Sequence, residues 1–361
     1  MASRLFQRLR VKNPAELAAK AHQAFLRLPY ESSQDRIVEE ISRLMVGIKE
    51  LMFGDGEQCS KESALLIAKE ACKTELVSEM VDCLGMLDFE TRKDVAQIFG
   101  SILRLEEPAA GGDASDAGSH QGHATGGYCP GKEYVLQHVE LLSTLFDGFS
   151  SQEIGINCQE MFRECIRHQE IAKYVLESDM FFELFEKLHD TEFEMASDSF
   201  TTFKDLLTRH KTMAASYLIK HYDEFMHEYS KLLESQNYFT RRQSVKLLGE
   251  MLLERANVRV LVKYVADPEN LKVMMNLLKS SAKSIQWEAF HVFKVFVANP
   301  NKSPAVTDIL LSNRDKLLQY FEDFQVDRTD QQFLEEKAVI IQEISMLQPK
   351  EEEKPEAEHD T

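Results

Sequence analysis

The stretch "SDSFTTFKDLLTRH", residues 197–210, reads as a helix that is apolar nearly all round, with one lysine, Lys204, in its middle. The chain rewrites this phrase several times. Forty-one residues upstream, "MFRECIRH" (161–168) sets Phe162 and Arg163 against Phe203 and Lys204. Ninety residues downstream, "AFHVFKVFV" (289–297) sets Phe290, Phe293 and Lys294 against Phe200, Phe203 and Lys204. A cation after an apolar residue thus recurs at Arg163, Lys204, Lys246 and Lys294, with spacings of 41, 42 and 48. That is the band of HEAT and armadillo repeats, about 40–47 residues. A further copy, "IFGSILR" (98–104), carries Gly100 where Arg163 stands. Phe99 lies 63 residues before Phe162, too far by about 20 for that period. The Gly-rich stretch 108–131 holds the excess, with seven of the chain's 15 glycines. An independent echo agrees: "KYVLESDM" (173–180) and "KYVADPEN" (263–270) also lie 90 residues apart.

Between these phrases run further amphipathic segments, such as "HYDEFMHEYSKLLES" (221–235) and "TDILLSNRDKLLQYFEDF" (307–324). Apolar residues recur at three and four, the helical period, and no run alternates at two as a strand would. Ser197 and Asp198 are candidate N-caps, Asn237 sits in a turn, and Pro268 and Pro300 are candidate breakers. The sequence therefore predicts an all-α, armadillo/HEAT-like solenoid of about six repeats, each burying its face only by stacking on its neighbours. It spans 1–346, interrupted by a disordered insertion at 108–131 and followed by a disordered acidic tail at 347–361. In such a stack the third helix of each repeat lines the concave side, so the recurring cations are expected in one column along a groove. For Lys204 alone, snorkelling out of the core or pairing with a nearby acid such as Asp205 explains the residue as well.

Composition bounds the function. With 361 residues, 43% apolar and 28% charged, and few glycines or prolines, the chain can fold and favours helix. No segment has the apolar run of a membrane span. The start, with Arg4, Arg8, Arg10 and Lys12, has the charge of a transit peptide, but an ordinary first helix explains it better. The six cysteines form no CxxC pair and read as reduced, buried thiols of a cytoplasmic protein. A net charge of −18 argues against nucleic-acid binding, which relies on phosphate neutralisation. Against this background, residues 239–294 hold ten Lys/Arg and only five acids, which suggests a site for an acidic partner.

Catalytic and cofactor signatures are missing. There is no GxGxxG, no GxxxxGK[ST], no HExxH and no GxSxG. "FGDGEQ" (53–58) lacks the lysine of a phosphate loop and the glycine and closing glutamate of an EF-hand, so neither a nucleotide nor direct calcium binding is expected. His120, His123 and Cys129 are irregularly spaced in the Gly-rich stretch, and chance composition explains them better than zinc. No enzyme activity, cofactor or metal is expected.

"ETRKDVAQIF" (90–99), "MFRECIRH" (161–168), "FTTFKDLLTRH" (200–210), "RRQSVKLLGEMLLER" (241–255), "ENLKVMMNLL" (269–278) and "EAFHVFKVFVANPNK" (288–302) closely resemble the calcium-binding protein 39 family, also called mouse protein 25. The resemblance covers about residues 10–346. It implies a horseshoe of helical repeats that binds and allosterically activates sterile-twenty-type (germinal-centre) protein kinases or pseudokinases through its concave surface. It also implies a pocket for a partner's C-terminal Trp-x-Phe-like peptide, here Arg242, Lys246, Lys272 and Met275, and a kinase-binding face with Phe193, Tyr238, Arg255 and Val258. Val258 and Ser312 stand where animal relatives carry an aromatic residue and a lysine. The alternative is an adaptor that assembles a polarity complex without altering kinase activity.

Overall fold

The computed structural model describes residues 13–54, 60–107, 127–188 and 193–348, the last stretch with side chains from residue 196 onward. The expected disorder of the insertion (108–126 of it) and of the tail (from 349), the tip of the 53–58 turn, and His120 and His123 lie outside the described residues. Among those described are twenty α-helices and no strand. The chain forms two compact units, Met1–Arg209 and His210–Thr361.

The first unit holds α1 (Pro14–Arg27), α2 (Gln34–Phe53), α3 (Lys61–Lys73), α4 (Leu76–Asp82), α5 (Phe89–Arg104), α6 (Pro130–Gln137), α7 (Glu140–Asp147), α8 (Gly155–Cys165), α9 (Gln169–Leu176), α10 (Asp179–Lys187) and α11 (Phe193–Thr208). The second holds α12 (Lys211–Lys220), α13 (Tyr222–Leu233), α14 (Tyr238–Leu253), α15 (Val258–Ala266), α16 (Pro268–Leu278), α17 (Lys283–Ala298), α18 (Pro304–Ser312), α19 (Arg314–Asp323) and α20 (Gln331–Ser345). The long third helices pack side by side within each unit: α2, α5, α8 and α11 in the first, α14, α17 and α20 in the second.

Local chemistry sets the helix ends. Asp88 caps α5 by accepting from the backbone N–H of Glu90 and Thr91, both at 3.1 Å. Asn237 does the same for α14 through Phe239 and Thr240, a stronger role than the turn expected of it. Pro268 starts α16 at its first turn, where its missing N–H costs nothing. Ser197 and Asp198, in contrast, are not caps. The helix α11 begins at Phe193 and runs through both, and Asp198 faces Arg163 at 3.6 Å instead.

Burial fixes the repeat register. Ser199, Phe200, Thr202, Phe203, Leu206 and Leu207 of α11 are all buried. Adding 45 gives Ser244, Val245, Leu247, Leu248, Met251 and Leu252 of α14, all buried; adding 45 again gives Ala289, Phe290, Val292, Phe293, Phe296 and Val297 of α17, also buried. Each phenylalanine in this core contributes about 1.5–3 kcal/mol by leaving water. Phe203, fully buried, is stacked on Phe181 at 5.8 Å and edge-on to Phe185 at 4.9 Å. This register corrects the cation column. The residue equivalent to Lys204 and Lys294 is Gly249, not Lys246, because only that alignment keeps every apolar position inside.

The Gly-rich insertion also needs a shorter boundary. Cys129 is buried, its thiol directed at the Leu103 carbonyl at 3.3 Å, and Pro130 is the first residue of α6. A Cβ on Gly131 would sit 2.7 Å from the Ile102 carbonyl oxygen, so this close helix approach needs glycine. Residues 127–131 therefore belong to the folded body.

Candidate functional site

The third helices carry a charge pattern that follows from the register. One residue past each buried anchor stands Lys49 after Ile48, Arg163 after Phe162, and Lys294 after Phe293. Each pairs with an acid on the next third helix of its unit: Lys49 with Asp94 of α5, Arg163 with Asp198 of α11, and Lys294 with Glu336 of α20 at 2.7 Å. Asp94 and Asp198 lie five residues before the anchors Phe99 and Phe203, and Glu336 lies 48 residues after Glu288, the offset that relates α20 to α17. Of the recurring cations, Arg163 and Lys294 thus make ion-pair rungs between neighbouring third helices, as Lys49 does. Lys204 occupies the same place, half-buried, in α11.

Two rungs lack their cation. At Gly100 the acid position on α8 is also empty of charge, being Asn157, and a different pair stands one turn on: Arg104 grips Glu164 with Nε at 2.8 Å and Nη2 at 2.6 Å. At Gly249 the acid position is Glu288 of α17, whose side chain is 13% exposed. Its contact with Arg242 Nη2 is 3.9 Å, beyond hydrogen-bond range. Burial pushes the Glu288 carboxyl up, against the opposing pull of Lys246, Arg242 and, more weakly, Arg328. No motif marks Glu288 as a site residue; only alignment with the acids Asp94, Asp198 and Glu336 exposes it.

The four residues expected to form the peptide pocket come from two helices, α14 and α16. Arg242 and the exposed Lys246 gather on α14 near Glu288. Lys272 is exposed and pairs along its own helix with Glu269 at 2.6 Å. Met275 lines a cavity of about 160 Å³ between α16 and α19, with Leu278, Leu317 and Tyr320 as apolar walls and Lys279 and Lys316 among the lining residues. The Tyr320 hydroxyl donates to the Leu278 carbonyl, and burial pushes its phenol up to about 12, so it stays a neutral donor at physiological pH. Asn313 lines the same cavity, directly after Ser312. A neighbouring cavity of about 290 Å³, lined by Leu233, Arg241, Val273 and Leu277, shares Lys279 with it. It is Arg241, not Arg242, that turns toward α16.

The residues expected on the kinase-binding face are spread along α14. Tyr238, 48% exposed, opens the helix, and its hydroxyl is 2.6 Å from Ser284 Oγ. Arg255 and Val258, both exposed, follow the other end of this 16-residue helix, about 24 Å away at the usual helical rise. Phe193 begins α11; its side chain lies outside the described residues.

No cluster of three or more metal-ligating side chains occurs among the described residues, and no helix there is long and apolar enough to cross a membrane. Cys72, Cys83, Cys129, Cys158 and Cys165 are free thiols. Burial pushes the Cys158 thiol up to about 11 and Cys72 to about 12, which leaves them protonated and unreactive. Cys59 lies outside the described residues.

Stacked three-helix repeats, with ion pairs between third helices inside each unit, define a helical-repeat protein of the armadillo kind. The Mo25-like family model matches residues 4–348, and the chain belongs to that family. It is 58% identical over 329 residues to the degreening-related gene dee76 protein of Auxenochlorella protothecoides, covering 91% of this chain and 97% of that one. It is 41% identical over 340 residues to a mouse protein named calcium-binding protein 39-like, covering 93% and 95%. Among solved structures, a designed armadillo repeat protein aligns with a TM-score of 0.40 at 14% identity, over 76% of this chain and 99% of that one.

Proposed function

We propose that this chain is a non-catalytic scaffold that binds sterile-twenty-type protein kinases or pseudokinases and holds them in their active arrangement. Family membership supports the reading, and the observation that carries it is the cavity around Met275. Its walls are apolar and aromatic, its lysines supply positive charge, and it is of the size for one aromatic side chain. A soft methionine beside cations suits an acidic-aromatic tail such as Trp-x-Phe. In this reading Lys279 and Lys316 replace Arg242, Lys246 and Lys272 as the cations of the peptide pocket. Tyr238, Arg255 and Val258, with Phe193, remain the proposed face for the kinase body. Activation requires only that the scaffold bind the active kinase more tightly than the inactive one.

The test is an assay of a purified sterile-twenty-type kinase with and without this chain. Raised turnover with the scaffold alone is the expected result. Binding without activation makes it an adaptor, and no binding to any such kinase defeats the reading. Within it, Met275→Ala should weaken a Trp-x-Phe peptide by about 1–3 kcal/mol with unchanged salt dependence, since packing rather than charge is lost.

A further inference from the structure

A cavity of about 450 Å³ lies in the first unit between α3 and α6, and it shares no residue with the peptide pocket or the kinase face. Its walls are held from several sides. Lys69 grips the Glu107 carboxylate at 2.8 Å, and the Glu107 N–H donates to the Tyr128 carbonyl at 2.8 Å. Tyr134 is stacked on His138 with centroids 4.3 Å apart, and its hydroxyl lies 2.6 Å from Ser78 Oγ of α4. The cavity is therefore shaped before anything enters it, the usual condition of a ligand site. Its two walls carry opposite charges that do not meet. On α3, the Lys73 side chain is 75% exposed, and its one ion pair among the described residues is a 3.4 Å contact with Glu70 of the same helix. On α6, Glu133 has the neighbouring Lys132 at 3.6 Å, but that lysine stands closer to Glu170, at 3.3 Å. Gln137, one turn beyond Glu133, is exposed and makes no hydrogen bond among the described residues. No ion pair spans the cavity from Lys73 to Glu133. Between the charges the lining is Tyr128, 56% exposed, with Pro130, Tyr134 and the Cys72 thiol, which burial keeps protonated.

We propose that this cavity binds a free α-amino acid with an apolar or aromatic side chain. Lys73 takes the carboxylate, Glu133 takes the ammonium, and the Gln137 amide donates to the one or accepts from the other. The side chain lies against Tyr128 and Tyr134, whose rings offer broad apolar area with a polar tip. A ligand of both charges satisfies the two walls at once. An anion or a cation alone leaves one wall unmatched, and the interior of a peptide carries neither charge. The volume of about 450 Å³ is within the range of small-molecule sites and admits one such molecule. Nothing in this site depends on kinase binding.

The experiment is titration calorimetry on the full chain with L-phenylalanine, leucine, methionine and tryptophan. At least one should give a single saturable site, with a Kd on the order of 0.1–1 mM for so small a ligand. The best binder is then compared with its N-acetyl form, which lacks the ammonium, and its amide, which lacks the carboxylate. Each should bind about fivefold more weakly, the upper value for an exposed charge pair. Lys73→Ala should weaken the free amino acid by a similar factor and leave the amide form unchanged. Glu133→Gln should weaken the free amino acid and leave the N-acetyl form unchanged. Neither change should move the melting temperature, because both side chains reach solvent. No saturable heat from any of the four amino acids overturns the proposal, as does equal binding of the capped forms. Saturable binding that either variant leaves unchanged puts the ligand elsewhere and overturns it as well.

Discussion

Gly100 and Gly249 hold the same place in the repeat and have opposite surroundings. In the first unit a different pair stands one turn on, Arg104 gripping Glu164 with two short bonds. A Cβ on Gly100 would press to 3.1 Å on Glu164 Cγ, so the glycine makes room for that pair. In the second unit Glu288 has only the 3.9 Å approach of Arg242, little looser than the 3.6 Å approach of Arg163 to Asp198, and the Cβ position of Gly249 has only an ordinary contact. One gap has a close pair beside it. The other keeps a single loose contact.

Stability measurements can break this contrast. The largest effect should come from Arg104→Ala, which leaves the Glu164 carboxylate only Arg167, at 3.5 Å; calorimetry should show a loss of about 1–3 kcal/mol, against under about 1 kcal/mol for Arg242→Ala. Equal losses would show that the Glu288 rung is structural too.

Next in size is Lys294→Ala, an intact rung, at about 1 kcal/mol. Here pH supplies a check. Burial raises the Glu336 carboxyl, but the hydrogen bonds from Lys294 and Gln332 outweigh it and hold the group below its ordinary value. A depressed folded value means that the rung stabilises above the ordinary glutamate range and fades as pH falls through the folded value. The penalty of Lys294→Ala should therefore shrink in acid, which melting curves from pH 7 down to 3 would reveal.

The smallest effect is at the glycines themselves. Gly249→Ala should raise stability by about 0.5–1 kcal/mol, the usual gain inside a helix. Gly100→Ala should gain little or lose, because the Arg104–Glu164 pair must shift. Equal gains at both sites would erase the distinction.

Much of the fold was legible in the sequence because apolar periodicity is written by the core itself. Phe203 and Phe293 repeat at 90 because both fill the same slot. The register between them was not legible from cations. Lys246 and Gly249 are three residues apart, nearly one helical turn, and a lysine is conspicuous where a glycine is not. Burial of Ser244 settles the matter, and a serine does not signal burial by type. The cavity itself was not legible: Met275 lines it beside Lys279 and Lys316, brought together by a helix pairing that only packing decides. Glu288 carries no motif at all, since its meaning lies in what is missing opposite it.

One more contact has a use in the laboratory. The Glu107 backbone N–H donates to the Tyr128 carbonyl at 2.8 Å, while Lys69 holds the Glu107 side chain at 2.8 Å. The chain thus leaves and re-enters the first unit through a doorway one hydrogen bond wide, with both jambs fixed. Whatever is spliced between them adds only a slowly growing closure entropy and leaves the flanking helices where they are. A fluorescent reporter or an affinity module set at this point would travel with the protein without displacing α5 or α6.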